Sequence, residues 1–400
     1  MAATTDNKSR PQIAVARSES EKQEIFRFRY RIYVEEMHQD RPDADEKNKM
    51  LRDSLDDTGI HLMMSVGGKV AATIRLNLGK LTPIPGPLRE AYALDRFVNF
   101  PAEQISITSQ IIVSEKWRSS NVPAVLLGAT YKLARQQGIR FDFCHCQPFL
   151  VSLYEQLGYR RYTDNFVDPN SGYNLPLILV TEDIEYLRAC GSPFFKLATQ
   201  HPSSAKTALW FQHEFPDYAA GSPRAGMTED DFWKQLTQKL HQIPLVSIPL
   251  LKDLTYDEAK KFLNVGTVLQ SKRGDKIVRA GDVGNEMFVL LTGAVEVRTT
   301  DSQDSEHVLT TMGQGDVFGE LAFLSAIPRT ADVVAVADSE VLVLTQQFFE
   351  RATKAMPAVT AKVLFNMSLI LCERLKNSTD NWMAAVADAQ VPTTLEQSAE

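Results

Sequence analysis

Cysteine is scarce. Cys144, Cys146, Cys190 and Cys372 are the only four in 400 residues, too few and too scattered for a disulfide framework. Long apolar runs are missing as well: no stretch reaches the roughly 18–20 uncharged apolar residues of a membrane span. Residues 1–12, MAATTDNKSRPQ, are polar and hold no apolar signal core. Positive charge is not in excess. The net charge is −7, which weighs against a nucleic-acid binder, because little is available to neutralise phosphates. No Walker loop, EF-hand loop or Ser-His-Asp order is present. Cys144-His145-Cys146 has no second Cys/His pair at zinc-ligand spacing. On a strand its cysteines share one face and its histidine takes the other, so ordinary packing is expected and no metal. The resulting expectation is a reduced, cytoplasmic protein.

What is there is the composition of a globular protein, 44% hydrophobic and 23% charged. Its length is too great for one ordinary core, so two domains are expected. Between about 13 and 185 helices and strands alternate. ESEKQEIFRFRYRIYVEEM has helical spacing, HLMMSVGGKVAATIRLNL reads as two strands about Gly67-Gly68, and ISITSQIIV is a β-branched strand. VPAVLLGATYKLARQQG starts with a proline and ends at a glycine, as helices do. IRFDFCHC is a further strand and FLVSLYEQLGY a short helix. The pattern from about 246 to 350 is all-β after one helix, with short strands separated by glycine turns, as in a small barrel or jelly roll. The expected division is a flexible tail over 1–12, an α+β domain over 13–198 and a packed connector with a helix over 199–245. A β-barrel domain closed by lid helices follows over 246–380, then a flexible tail over 381–400.

FGELAFLSAIPRTADVVA, residues 318–335, is the most informative stretch. Phe318-Gly319-Glu320-Leu321-Ala322 would open a short helix after a strand, where backbone amides can hold a phosphate. Glu320 can accept from a ribose hydroxyl, and Arg329 can make charge-assisted contacts to a phosphate. Small Ala322, Thr330 and Ala331 let a ligand approach the backbone. The stretch resembles the phosphate-binding cassette of cyclic-nucleotide-binding domains. Upstream, Gly274-Asp275-Lys276-Ile277, Gly281-Asp282-Val283-Gly284, Met287-Phe288-Val289 and Gly293 follow that family's order of barrel residues. The resemblance spans roughly 250–375. It implies that Glu320 binds the ribose, that Arg329 binds the cyclic phosphate, and that Phe318, Gly319, Leu321, Ala322, Thr330 and Ala331 complete the cassette. It also makes helix 356–375 the lid. The effector expected is cAMP before cGMP, although Thr330 could donate to a guanine. A family fold that has lost its nucleotide is the bland alternative, against which the retained pair Glu320 and Arg329 stands. Transcription factors of this family carry a helix-turn-helix after the lid. The roughly 25 polar residues after Leu375 are too few for one, so no nucleic-acid partner is expected.

The first half resembles the GNAT acyltransferases. YEQLGYRRY, 154–162, is similar to their late helix–Gly–strand step, which makes Tyr154 the candidate to protonate a leaving thiolate. IIVSEKWRSSNVPAVLL, 111–127, is similar to their pantetheine- and pyrophosphate-binding loop, which implies roles for Arg118, Ser119, Asn121, Val122 and Ala124. Asn121 stands where a glycine is usual and tolerates positive φ. Pro123 removes one backbone N–H from the cradle. A cradle short of one donor suits the single phosphate of an acyl carrier protein, with acyl-CoA as the other donor. Lys116, Arg118, Lys132, Arg135 and Arg140 could meet an acidic carrier protein or form a plain solvated face.

FRFRYRIYVEEM, DSLDDTGIH and VAATIRL narrow the resemblance to acyl-homoserine-lactone synthases and long-chain N-acyl amino acid synthases. By motif, Arg29, Tyr33, Asp57 and Arg75 would shape the amine pocket. Asp57 would take a proton from the amine and Arg75 would hold a carboxylate, unless both are structural ion pairs. The lactone synthases have Glu-x-Ser-Arg where this chain has Ile107-Thr108-Ser109-Gln110, which argues against lactone synthesis and leaves Ser109 in the site. Backbone donors on strand 106–113 could stabilise an oxyanion. The expected activity is therefore transfer of an acyl group from a carrier-protein or CoA thioester to an amine such as that of an amino acid, gated by cyclic nucleotide. Its rivals are a cAMP-gated protein lysine acetyltransferase and an inactive fold serving as a nucleotide-responsive binding module. A homodimer is left open.

Overall fold

A computed structural model gives the fold and describes residues 11–389 save 38, 40, 119, 169, 170, 220–226, 265, 302, 304 and 326. The first unit is built on β1 (Gln12–Val15), a small hairpin of β2 (Ala44–Asp45) and β3 (Met50–Leu51), β4 (Ile60–Val66), β5 (Lys69–Leu78), β6 (Ile105–Val113), β7 (Phe141–Cys146), β8 (Arg160–Arg161), β9 (Phe166–Asp168) and β10 (Gly172–Val180). The large sheet runs β1-β4-β5-β6-β7-β10-β8, with β9 also against β10. Its pairings are antiparallel except that of β6 with β7. A parallel pair needs a crossover, and the helix Val122–Gln136 supplies it. That helix buries Val122, Leu126, Leu127, Thr130, Tyr131 and Ala134, one stripe of a 3.6-residue period, against the sheet face that carries Cys144 and Cys146. The other face is closed by aromatics: Phe97, Phe141, Phe143 and Tyr162 pack with Phe211 and Phe215 from the helix Ala205–Glu214 and its end.

The second unit holds β11 (Thr267–Ser271), β12 (Lys276–Val278), β13 (Glu286–Thr292), β14 (Val295–Thr300), β15 (Glu306–Met312), β16 (Val317–Phe318), β17 (Asp332–Ala335) and β18 (Ser339–Thr345). They form two four-stranded sheets, β11-β18-β13-β16 and β12-β17-β14-β15, a two-sheet sandwich where a small barrel or jelly roll was expected. Helices Glu229–Leu240, Tyr256–Leu263, Gln346–Ala355 and Pro357–Ala389 cover it through Phe232, Trp233, Phe262, Phe348, Phe349 and Val363. The last helix runs beyond residue 380 to Ala389, so part of the segment expected as a loose tail is helical.

The two units touch along β11. Ser152 Oγ lies 2.6 Å from Thr267 Oγ1, Arg161 Nη1 donates to Val268 O at 3.0 Å, and Asn165 Nδ2 donates to Gln270 O at 2.8 Å. Tyr173 Oη lies 3.0 Å from Ser271 Oγ. One apolar cluster includes Leu175 and Leu177 of the first sheet together with Leu269 and Ile277 of the sandwich. Among the described residues no helix is long and apolar enough to cross a membrane.

Candidate functional sites

The register of β6 and β7 places the first site. They pair only at Ile105–Phe141, Ser106–Asp142 and Ile107–Phe143. Beyond that point the strands part, leaving residues 108–113 of β6 without sheet partners on that side. On its other side β6 carries one extra residue against β5 between Ser109 and Ile112, a bulge in which Gln110 has φ +53°. The base of the opening is stapled by Asp142, which accepts from Ser106 Oγ and Tyr159 Oη, each at 2.6 Å. Burial pushes the Asp142 carboxyl up, against those hydrogen bonds. The Tyr159 ring meets Tyr154 edge-on at 5.3 Å. Tyr154 is buried, and burial pushes its hydroxyl well above the usual range, with Cys144, Cys146, Tyr33 and Asp142 adding to the effect. It therefore keeps its proton at neutral pH and stands as a hydroxyl donor.

The crossover helix begins at this opening. Of its first three amides, Val122 N–H is taken by Ser120 Oγ at 3.2 Å, Pro123 has none, and Ala124 N–H has no backbone or side-chain acceptor among the described residues. Asn121 sits at φ −78°, so the positive φ for which its residue type was singled out is not used. Arg118 donates to Val113 O at 3.0 Å and pairs with Glu36, and so braces the strand end as well as lining the loop. Ser119 lies outside the described residues. The basic face shrinks: Arg135 is buried and paired with Glu182 at 3.3 Å, and Arg140, its side chain 34% exposed, shares that carboxylate at 3.7 Å. Lys116 and Lys132 remain exposed.

Beside the bulge lies a buried ionic cluster. Arg29 donates to both oxygens of Asp56 at 2.7 and 2.9 Å. Arg75 Nη1 donates to Asp56 at 2.7 Å and to Asp53 at 2.5 Å, and its Nε donates to Ser109 Oγ at 3.0 Å. Two cations meet two carboxylates, so Arg29 and Arg75 are committed to protein partners, and the carboxylate-holding role expected of Arg75 is not supported. Asp57, expected in the amine pocket, is 65% exposed and pairs with Arg52 at the surface. The reason is local. Asp53 caps the short helix Ser54–Asp56, with Asp56 returning the bond to its backbone, and this capping box turns Asp56 inward and Asp57 outward. Asp53 is the accessible acid, 32% exposed, with Gln110 Nε2 donating to its Oδ2 at 3.3 Å. Tyr33 stands at the edge of the cluster, with the Arg41 guanidinium 5.3 Å from its ring centre, and burial pushes its hydroxyl up.

His61 completes the cluster. Its Nδ1 lies 3.3 Å from Arg29 Nη2 and accepts; its Nε2 lies 3.2 Å from Asp56 O and donates. Burial, then the Arg29 charge, bring the imidazole from the ordinary 6.5 down to about 4. An unfolded chain takes up this proton near pH 6.5 and the folded chain only near 4. Stability is therefore full above 6.5 and falls as pH drops through that window, by about 3 kcal/mol for this group. Chemical denaturation at pH 7 and 4.5 should show a loss smaller by about 2–3 kcal/mol in His61→Gln than in wild type; equal losses would remove His61 as the acid-sensitive group.

The second site holds the cassette. Gly319 has φ +80°, and a Cβ there would stand 2.8 Å from Arg329 Nη1; one at Gly284 would stand 2.2 Å from Nη2. Both positions need glycine because the guanidinium threads between them. Arg329 Nη1 donates to Gly319 O at 2.8 Å. Its Nη2 is 3.1 Å from Glu286 Oε1, an ion pair, yet the Nη2 hydrogens have no aligned acceptor among the described residues, so the contact is Coulombic and not a hydrogen bond. Glu286 is buried, and burial pushes its carboxyl up against the pull of Arg329. Glu320 is buried and paired with Arg374 of the last helix at 2.8 Å. The cavity between them is lined by Phe318, Gly319, Ala322, Thr330, Ala331 and Arg374, with the Leu321 side chain, 45% exposed, at its rim. Both charges singled out in the sequence thus come together, each with an internal counter-charge that the sequence did not announce.

Residues 24–183 match the family model described as N-acyl amino acid synthase FeeM, and residues 268–355 match that described as cyclic nucleotide-binding domain. Similar proteins include the cAMP-dependent protein kinase regulatory subunit of Mycosarcoma maydis, 32% identical over 28% of this chain and 22% of its own length. The cGMP-dependent protein kinase 2 of Homo sapiens is 30% identical over 36% and 20%, and the cyclic AMP receptor protein of Thermus thermophilus is 28% identical over 32% and 58%. The chain spans about a fifth of the length of the two kinase-related proteins. It carries a domain of the N-acyl amino acid synthase FeeM family, which is an N-acyltransferase family, joined to a C-terminal cyclic nucleotide-binding domain.

Proposed function

We propose that this chain moves a long-chain acyl group from a thioester to the amine of an amino acid, and that cyclic nucleotide held by the second domain sets the rate. The observation that carries the reading is the parting of β6 from β7 after Ile107 and Phe143, with Tyr154 buried beside it and Asp53 accessible across the bulge. The thioester carbonyl enters the opening, and backbone N–H groups of residues 108–113 receive the oxyanion. Asp53 takes a proton from the amine. The C–N bond forms as the C–S bond breaks, and Tyr154 gives its proton to the departing thiolate. The thioester needs no further activation, so orientation is the main contribution. A carrier-protein phosphopantetheine is preferred over CoA as donor, because the first helical turn offers little beyond Ala124 N–H. cAMP is preferred over cGMP, in line with the names of two of the three relatives above.

Mass spectrometry of lipid extracts from cells making the full chain tests this. Wild type and Asp57→Ala should yield new acyl-amide species. Tyr154→Phe and Asp53→Asn should lose about 100-fold or more of the yield, the usual weight of a proton-transfer group. Acetyl-lysine on proteins with no acyl amide would favour a lysine acetyltransferase. Nucleotide binding with no turnover of any thioester would leave a binding module.

A further inference from the structure

Arg329 stands in a wall between two cavities. One is the cassette cavity described above. The other is a cleft between the domains, lined by Gln147 and Tyr173 of the first unit and by Arg279, Asp282, Glu286 and Arg329 of the second. The backbone of Arg329 is tied at both ends to the loop beneath that cleft: its N–H donates to Asp282 O at 2.8 Å, and its carbonyl accepts from Gly281 N at 2.8 Å. Asp282 in turn presses its carboxylate on Gly172. A Cβ at Gly172 would stand 2.3 Å from Asp282 Oδ2, so that contact exists only because the position is glycine. Gly172 opens β10, which lies against β7 from Leu175 to Val180. Ser171, just before it, accepts from Gln147 Nε2 at 2.8 Å, and Gln147 leads directly into Pro148–Leu150 and the helix Val151–Leu157 that carries Tyr154.

We propose that the Asp282–Gly172 contact is the regulatory joint of the molecule, through which occupation of the nucleotide cavity by a cyclic phosphate changes the order of the strand and helix around the acyl-transfer opening. The inference rests on reading the second domain as a nucleotide sensor. A ligand shifts an equilibrium only through contacts that differ between two states. Here the difference is the guanidinium of Arg329. In the structure it faces Glu286 and Gly319 O; an anionic phosphate in the cavity would offer its unaligned Nη2 hydrogens an acceptor on the other side. When the guanidinium turns, the 279–284 loop bonded to its main chain must follow, and it carries with it the Asp282 carboxylate, which Arg279 Nε holds at 3.1 Å against Gly172. The Ser152–Thr267 bond is a second bridge between the same units and serves as the internal comparison.

Hydrogen exchange on the full chain, with and without saturating cAMP and with calorimetry alongside, tests the joint. In wild type, cAMP should alter exchange both in the cassette and in peptides covering residues 147–157 and 171–180. Asp282→Ala removes the carboxylate while keeping the backbone bonds to Arg329. It should bind cAMP within about 3-fold of wild type, keep the cassette change and lose at least half of the change in the two distant segments. Ser152→Ala should keep both. If wild type binds cAMP and the distant segments do not respond, or if Asp282→Ala responds like wild type, the joint is elsewhere and the inference falls. Loss in Ser152→Ala with retention in Asp282→Ala would also overturn it, in favour of the β11 bridge. If calorimetry detects neither cAMP nor cGMP, the sensor reading itself fails and the joint with it, an outcome separate from the others.

Discussion

Replacing Arg329 with alanine is expected to weaken cAMP binding by roughly 100- to 1,000-fold and to destabilise the second domain by about 3 kcal/mol. The binding loss follows from removing charge-assisted hydrogen bonds to a phosphate, each of which contributes about 1.5–3 kcal/mol. The stability loss has a different source. Glu286 is 6% exposed and its ion-pair partner among the described residues is Arg329 at 3.1 Å. Removing one member of a buried pair leaves the other uncompensated, at a typical cost of about 3–5 kcal/mol. The lower end applies because burial already favours the neutral Glu286 carboxyl. The two effects separate in a double variant. Glu286→Gln with Arg329→Ala should recover most of the stability in thermal unfolding and none of the affinity in calorimetry. Wild-type affinity in the single variant would remove Arg329 from the phosphate site.

The cassette was legible because the residues that carry the family resemblance lie within one short stretch, Phe318 to Ala331, and a local motif needs no knowledge of the fold. Its counter-charges were not. Glu286 sits on β13 and Arg374 on the last helix, and only the folding of the sandwich brings them against Arg329 and Glu320. The acyl-transfer half shows the same division. The alternation in IRFDFCHC marks Asp142 as sharing the buried face of Cys144 and Cys146, a readable sign that an acid lies in the core. Likewise, the Asp53 to Asp56 spacing is that of a capping box, and could have directed attention inward from Asp57. β10 gives no such sign. It is buried on both faces, so it does not alternate, and Pro176 argues against a central strand. The strand tolerates that proline because β9 pairs with residues 172–174 and β8 with 177–178, and Pro176 falls in the gap between them. Arg135 and Arg140 read as solvated cations because their partner, Glu182, follows β10 and is distant in sequence.

Asp56→Ala is expected to lower the stability of the first domain by about 3–5 kcal/mol, while its neighbour Asp57→Ala should change it by no more than about 0.5 kcal/mol. Asp56 has a side chain with no exposure and binds Arg29, 1% exposed, and Arg75, 2% exposed. Its removal leaves Arg29 facing only the neutral His61, whereas Arg75 keeps Asp53. Asp57 loses only a surface pair with Arg52, and such pairs contribute little. The pH dependence separates this carboxylate from its neighbour His61. Burial pushes the Asp56 carboxyl up, but the Arg29 and Arg75 charges outweigh it and hold the group below the usual carboxylate range. A carboxylate depressed on folding contributes stability above its unfolded value near 3.9, and that contribution is lost as pH falls through the still lower folded value. The acid loss between pH 6.5 and about 4 therefore belongs to His61, and the loss from Asp56 begins where that of His61 ends. Urea denaturation of both variants at pH 7, read beside their acyl-amide yields, decides the assignment. Asp56→Ala should lose fold and product together, and Asp57→Ala should retain both. A stable Asp57→Ala without product would return the amine site to the surface acid and overturn the placement of the acceptor beside Asp53.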